Sequence, residues 1–126
     1  VLKLVAGAGI YSGMNASAST NPQRVYRVDR FRVPAPARTE FLEQVRATHD
    51  VLRTQPGLIQ EFVLEQAGGP DAFNFVTVVV WRDAEALGQA RNVILEHRRS
   101  TGFDPNELFA RWKIEADMGN YAEAAL

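Results

Sequence analysis

From about Gln23 onward the chain follows two rhythms in turn, a period of two and a period near 3.6, and the switches between them mark out the elements. "RVYRVDRFRV" is rich in β-branched and aromatic residues and stops at Pro34, so it predicts a first strand. Its alternation slips in phase around Asp29 and Arg30, which predicts a bulge there. "PAPARTEFLEQVRATHDVLRTQPG" predicts a helix with Pro36 near its start and Gly57 closing it. On a helical projection Phe41, Leu42, Val45, Thr48, His49 and Leu52 form one core-facing stripe.

"LIQEFVLEQ" predicts a second strand, and "AGGPD" has the chemistry of a hairpin turn. In "FNFVTVVVW", the third strand, Phe73, Phe75, Val79 and Trp81 line one face while Val76, Val78 and Val80 line the other. A half-exposed strand is not written that way; both faces ask for burial. Asp83 predicts the cap of a second helix with Ala86, Leu87, Ala90, Val93, Ile94 and His97 along one side. "FDPNEL" restarts helix, with Asp104, Pro105 and Glu107 spaced as a capping box. "WKIEADM" predicts a half-buried last strand, with Trp112, Ile114, Ala116 and Met118 on one face and Lys113, Glu115 and Asp117 on the other.

The predicted order is β-α-β-β-α-β with a helical insertion before the last strand. That is the ferredoxin-like arrangement, an α+β fold with a four-stranded antiparallel sheet and helices on one face. Two helices cover only one side of such a sheet, so the doubly apolar third strand predicts a homodimer through the other sheet face, closing a dimeric α/β barrel. One domain is expected over residues 23–122, with 123–126 as a tail.

Residues 1–22 stand apart. "LVAGAGIYSG" spaces Gly7, Gly9 and Gly13 after an apolar run, as a dinucleotide-binding turn does. The following "MNASASTNPQR" contains Pro22 and lacks the apolar positions of a crossover helix, and no second βαβ unit follows, so the motif reads as coincidence. Lys3, the apolar run and "ASA" at 16–18 sketch an export signal diluted by glycines. The preferred reading is a flexible or cloning-derived leader, with Met14 as the natural start.

Composition narrows the chemistry. Fourteen basic residues against fifteen acidic ones supply no concentrated footprint for nucleic acid, and no apolar run approaches a membrane span. With no cysteine, disulfides, thiolate catalysis and Cys-ligated metals are excluded, and two histidines cannot build a three-histidine metal site. A cytoplasmic location is the expectation.

The segments "LRTQPGLIQEFVL" and "FNFVTVVVWRDAEAL" carry a resemblance. The chain resembles the antibiotic-biosynthesis-monooxygenase family of dimeric α+β barrels over roughly residues 23–118. Members read "PG" into the second strand and then W-x-[DS]-x-x-A, matched here by Trp81, Asp83 and Ala86. The resemblance implies oxidation of phenol- or anthrone-like aromatics to quinones by dioxygen, with no metal or organic cofactor. It also implies that Trp81 lines the cavity for a small aromatic ligand. Some quinone-forming members carry Asn four residues before this Trp, where this chain has Thr77. A haem-degrading branch has Asn on the first strand and His about ten residues after the Trp; here those places fall near Asp29 and Arg91, with His97 too far on, which disfavours haem cleavage.

The candidate catalytic residues are therefore Trp81, His49 and His97, the histidines as proton acceptors that titrate near neutral pH. Tyr26, Arg30, Phe75 and Thr77 are the candidate substrate contacts, Tyr26 and Arg30 sharing a strand face that would frame an acidic or phenolic ligand. Each has a plainer reading: His49 and His97 as core-edge histidines, Trp81 as core filler, Trp112 as core or dimer interface, Glu96 as a solvated flank. Two functions follow, a cofactor-independent monooxygenase and a non-catalytic ligand-binding or dimerisation module on the same fold.

Overall fold

The computed structural model describes residues 23–67 and 73–126; the predicted leader, and most of the predicted hairpin turn, lie outside them. Strands β1 (Val25–Arg32), β2 (Leu58–Glu65), β3 (Phe75–Trp81) and β4 (Glu115–Tyr121) form one antiparallel sheet in the order β2-β3-β1-β4. Helices α1 (Arg38–Leu52), α2 (Ala84–Thr101) and α3 (Pro105–Trp112) complete the ferredoxin-like α+β fold.

Cross-strand partners share a face, so the register sorts the side chains. Phe31 pairs with Phe75, and both rings touch Phe41 of α1, at 5.0 and 5.2 Å between centroids. This is the helix side, and it carries Val25, Arg27, Asp29 and Phe31 from β1 and Phe75, Thr77, Val79 and Trp81 from β3. Phe31, Val33, Ala37, Phe41, Phe75, Leu108 and Ile114 form a core at one end of the sheet. Val79, Trp81, Ala86 and Ala90 form a second core at the other.

Tyr26, Val28, Arg30, Phe62, Leu64, Val76 and Val78 lie on the opposite side. No helix among the described residues covers it, and Phe62 and Leu64 stay 41% and 49% exposed.

Four local expectations are corrected. β1 keeps unbroken register with β3 and β4, so there is no bulge at Asp29 and Arg30. The phase slip is instead an ion pair, Arg27 Nε to Asp29 Oδ1 at 2.7 Å, set into the helix side of a regular strand. The irregularity lies in β2, between Leu58 and Gln60. α1 ends at Leu52, five residues before Gly57, after a 3-10 turn over Ala35–Ala37. Trp112 ends α3 rather than opening a strand, and its indole N–H donates to Glu40 on α1 at 2.7 Å beside a two-pronged Arg111–Glu40 pair. Ala116 and Met118 are exposed, because the apolar face of that segment stops at buried Ile114.

Asp83 caps α2 as expected, accepting from the Ala86 N–H at 2.8 Å, and Gly102 closes it at φ 76. Asp104 caps α3 through the N–H of Asn106 at 2.9 Å rather than that of Glu107.

Gly57 is the tightest point. Its φ is +92, its carbonyl accepts from Arg82 N–H at 2.8 Å, and an added Cβ would sit 2.5 Å from the Ala86 Cβ. Gly57→Ala combines left-handed backbone strain with overpacking, and should destabilise the fold by about 2–4 kcal/mol in urea titration. Gly102→Ala, strained at φ 76 but with open space around the Cβ, should cost clearly less.

Candidate active site

Polar groups enter the layer between helices and sheet in one band, between the two cores. From α1 comes His49, two i+4 steps beyond Phe41 on the buried stripe and 5% exposed. From β2 comes Glu61. The bulge explains its direction: Leu58 pairs with Trp81 and Glu61 with Val79, three residue steps along β2 against two along β3. One extra residue thus turns Glu61 to the helix side, a common use of a bulge. His49 Nδ1 lies 2.5 Å from Glu61 Oε1. Arg53, just past the end of α1, binds the other carboxylate oxygen of Glu61 and also pairs with Asp50 at 2.6 Å.

Burial alone would raise the Glu61 carboxyl, but hydrogen bonds from Arg53 and His49 outweigh it and hold the carboxyl below its ordinary range. An ionised carboxylate only accepts, so Nδ1 donates; in the neutral imidazole Nε2 is then the acceptor.

Asp29 and Thr77 complete the band from the sheet. They pair across β1 and β3, and Thr77 is 6% exposed. The Asp29 carboxyl is pushed up, chiefly by burial, with Arg27 and His49 pulling it back and Asp117 adding to the rise. Asp29 was not among the candidates from sequence; its trace was the charge interrupting the apolar phase of the first strand.

Trp81 lies four residues beyond Thr77 on the same face, roughly 14 Å along the strand. It is 1% exposed, in the core with Val79, Ala86 and Ala90, and Leu52, Leu58 and Leu87 pack against that core. Phe75 lies in the other core, against Phe41.

The remaining candidates are not brought together with these. Tyr26 and Arg30 do share a strand face, but it is the side away from the helices. Tyr26 donates to Glu123 at 2.5 Å, and that bond raises its hydroxyl pKa. Arg30 pairs with Asp117 and stacks 4.4 Å from the Phe73 ring centre. His97 falls within roughly 20° of Ala90 on the helical wheel. It is nevertheless exposed, because burial along α2 ends at Ile94.

Two concavities lie elsewhere: one of about 390 Å³ where α2 meets α3, and one of about 600 Å³ between β1, α1 and the start of β4. Among the described residues no cluster of three metal-ligating side chains occurs, and no helix is long and apolar enough to cross a membrane.

The sequence profile of antibiotic biosynthesis monooxygenase matches residues 24–103. The chain belongs to this family. Among solved structures, a protein from Shewanella loihica is similar at 17% identity and TM-score 0.63, over 82% of this chain and 97% of that one. SnoaB, a cofactor-independent oxygenase from Streptomyces nogalater, is similar at 22% identity and TM-score 0.59, over 82% and 96%. A heme-degrading protein from Mycobacterium tuberculosis is similar at 15% identity and TM-score 0.53, over 84% and 97%. These likenesses establish a shared fold. No curated protein matches the chain in sequence.

The family signature has a structural meaning here. Gly57 gives Ala86 room, Asp83 caps the turn that holds Ala86, and Trp81 fills the space beneath.

Glu61 generates a test. Its carboxyl is held low in the folded state, so its contribution is present above the unfolded value of about 4.3 and is lost as pH falls through the folded value. Glu61→Gln should cost about 1–3 kcal/mol at pH 7 by urea titration. The loss should shrink below about pH 4, where wild type forfeits the same interaction.

Proposed function

We propose that the protein is a cofactor-independent monooxygenase in which His49, oriented by Glu61, takes a proton from a small phenol- or anthrone-like substrate. The observation that carries this reading is the contact between buried His49 and half-buried Glu61, which leaves Nε2 of the neutral ring as the acceptor between two apolar cores. Family membership and the cofactor-independent oxygenase among the structural neighbours support the reaction class.

The chemistry needs little beyond that. Loss of a proton converts an anthrone or phenol into an anion electron-rich enough to reduce dioxygen directly. Dioxygen adds at the carbanionic carbon, and the hydroperoxide then loses water to leave a carbonyl. In balance, an anthrone's ring methylene and one dioxygen give one carbonyl and one water; in a phenol the O–H and the attacked ring C–H supply the two hydrogens instead. Both hydrogens leave in that water, dioxygen is the oxidant, and the proton held by His49 returns to the departing oxygen. Thr77 supplies a hydroxyl where an oxyanion forms, and Asp29, with its raised carboxyl, is a second proton carrier beside it. The apolar cores exclude water. Trp81 closes the far end of the layer.

Haem does not fit these residues. Ten positions past Trp81, where the haem-degrading branch has its histidine, stands Arg91, exposed on α2, and a guanidinium does not ligate iron.

A second copy of the chain is proposed to cover the open sheet side, where Phe62, Leu64, Val76 and Val78 form an apolar surface.

One observation favours the non-catalytic alternative. Trp81 is among the largest fully buried side chains of the core and acts equally well as filler.

The test is oxygen uptake and quinone absorbance in the presence of chelator on an anthrone and hydroquinone panel. His49→Ala should lower kcat by about 100-fold or more, the usual weight of a general base. Glu61→Gln should lower kcat and displace its pH profile, and Trp81→Phe should act mainly on KM. Absence of turnover with retained aromatic binding would replace this reading with the binding module.

A further inference from the structure

The cavity of about 600 Å³ lies at the Phe75 end of the sheet, some six residues or roughly 20 Å along β3 from Trp81. Its volume is that of a small-molecule site. Val33, Pro34, Ala35 and Phe75 supply an apolar wall, and Asn74 is locked into place by hydrogen bonds to both backbone groups of Val33 at 2.8 and 2.9 Å. The charged lining is Arg32, Arg38 and Lys113 against Glu65 and Glu115.

These charges are not equally committed. Arg38 grips Glu65 through two hydrogen bonds, at 3.0 and 2.7 Å, and that carboxyl is held low by them. Arg32 meets Glu115 only at 3.5 Å, with both side chains more than half exposed, a pairing of little strength. Lys113 has no ion-pair partner among the described residues. It also stands at φ 57, a left-handed conformation that costs a lysine more than a glycine. One uncompensated cation and one exchangeable guanidinium therefore border an apolar wall.

We propose that this cavity is a second small-molecule site, which takes an organic acid with an apolar, ring-sized body and a single carboxylate. The carboxylate lies between Lys113 and Arg32, and the body lies along Val33, Pro34 and the edge of Phe75. A bare inorganic anion would leave the apolar wall unused, and a neutral aromatic would leave Lys113 unpaired. The site is independent of His49 and Trp81.

The experiment uses the whole chain and 2-naphthoate as probe, followed by fluorescence titration and amide chemical shifts, with 2-naphthamide as the neutral control. Saturable naphthoate binding is expected, with shifts centred on Val33, Asn74 and Lys113. Lys113→Gly removes the cation while relieving the backbone, so it should fold normally and weaken naphthoate about tenfold, as loss of one charge-assisted bond does. Arg32→Gln should weaken it less, and Trp81→Phe should leave affinity unchanged. Equal affinity for the amide, undiminished binding by folded Lys113→Gly, or shifts centred on His49 and Trp81 would each overturn the proposal. Because the readout is binding at Lys113, its failure leaves the His49 reading standing, and the reverse.

Discussion

A carboxylate that enters the layer between helices and sheet must be matched by a donor or else hold its proton, and this constraint organises the interior of the chain. Glu61 is matched, by His49 on one oxygen and Arg53 on the other, and stays ionised. For Asp29 burial outweighs the hydrogen bond from Arg27 and the nearby His49, and its carboxyl rises. The two acidic groups of one band are thereby pushed in opposite directions. Such a divergence separates acid from base roles in proton chemistry, and it favours the band, rather than Trp81 alone, as the proposed reactive centre.

Packing at the other end follows from Gly57. Its carbonyl binds Arg82 while its missing side chain makes room for Ala86, so the start of β2, the end of β3 and the start of α2 meet at one place. Asp83 holds the helix at that place. Solved structures below 25% identity share this architecture, though one is described as a cofactor-independent oxygenase and another as a heme-degrading protein.

The sheet also divides the chemistry by side. The helix side carries Asp29, Thr77, Glu61 and Trp81; the open side carries Tyr26 and Arg30, each already engaged with an acidic partner. A ligand in the layer above Thr77 cannot reach Tyr26 without crossing the sheet. Tyr26 and Arg30 consequently belong with the proposed subunit contact rather than with the proposed site.

Much of the fold was legible in local pattern, because it depends on periods of two and 3.6 and on caps that act within four residues. The order of elements, the Asp83 cap, the buried stripe of α1 with His49 on it, and the two apolar faces of β3 are of this kind. What the pattern did not hold is everything set by contacts between distant segments. The bulge that aims Glu61 at His49 depends on β2 pairing with β3, and neither strand alone signals it. The phase slip read at Asp29 and Arg30 arose because the Arg27–Asp29 ion pair, set into helix-facing strand positions, mimics one. His97 kept the right angle on its helix and still met solvent, because an angle says which way a side chain points and only the neighbouring elements decide whether anything lies there.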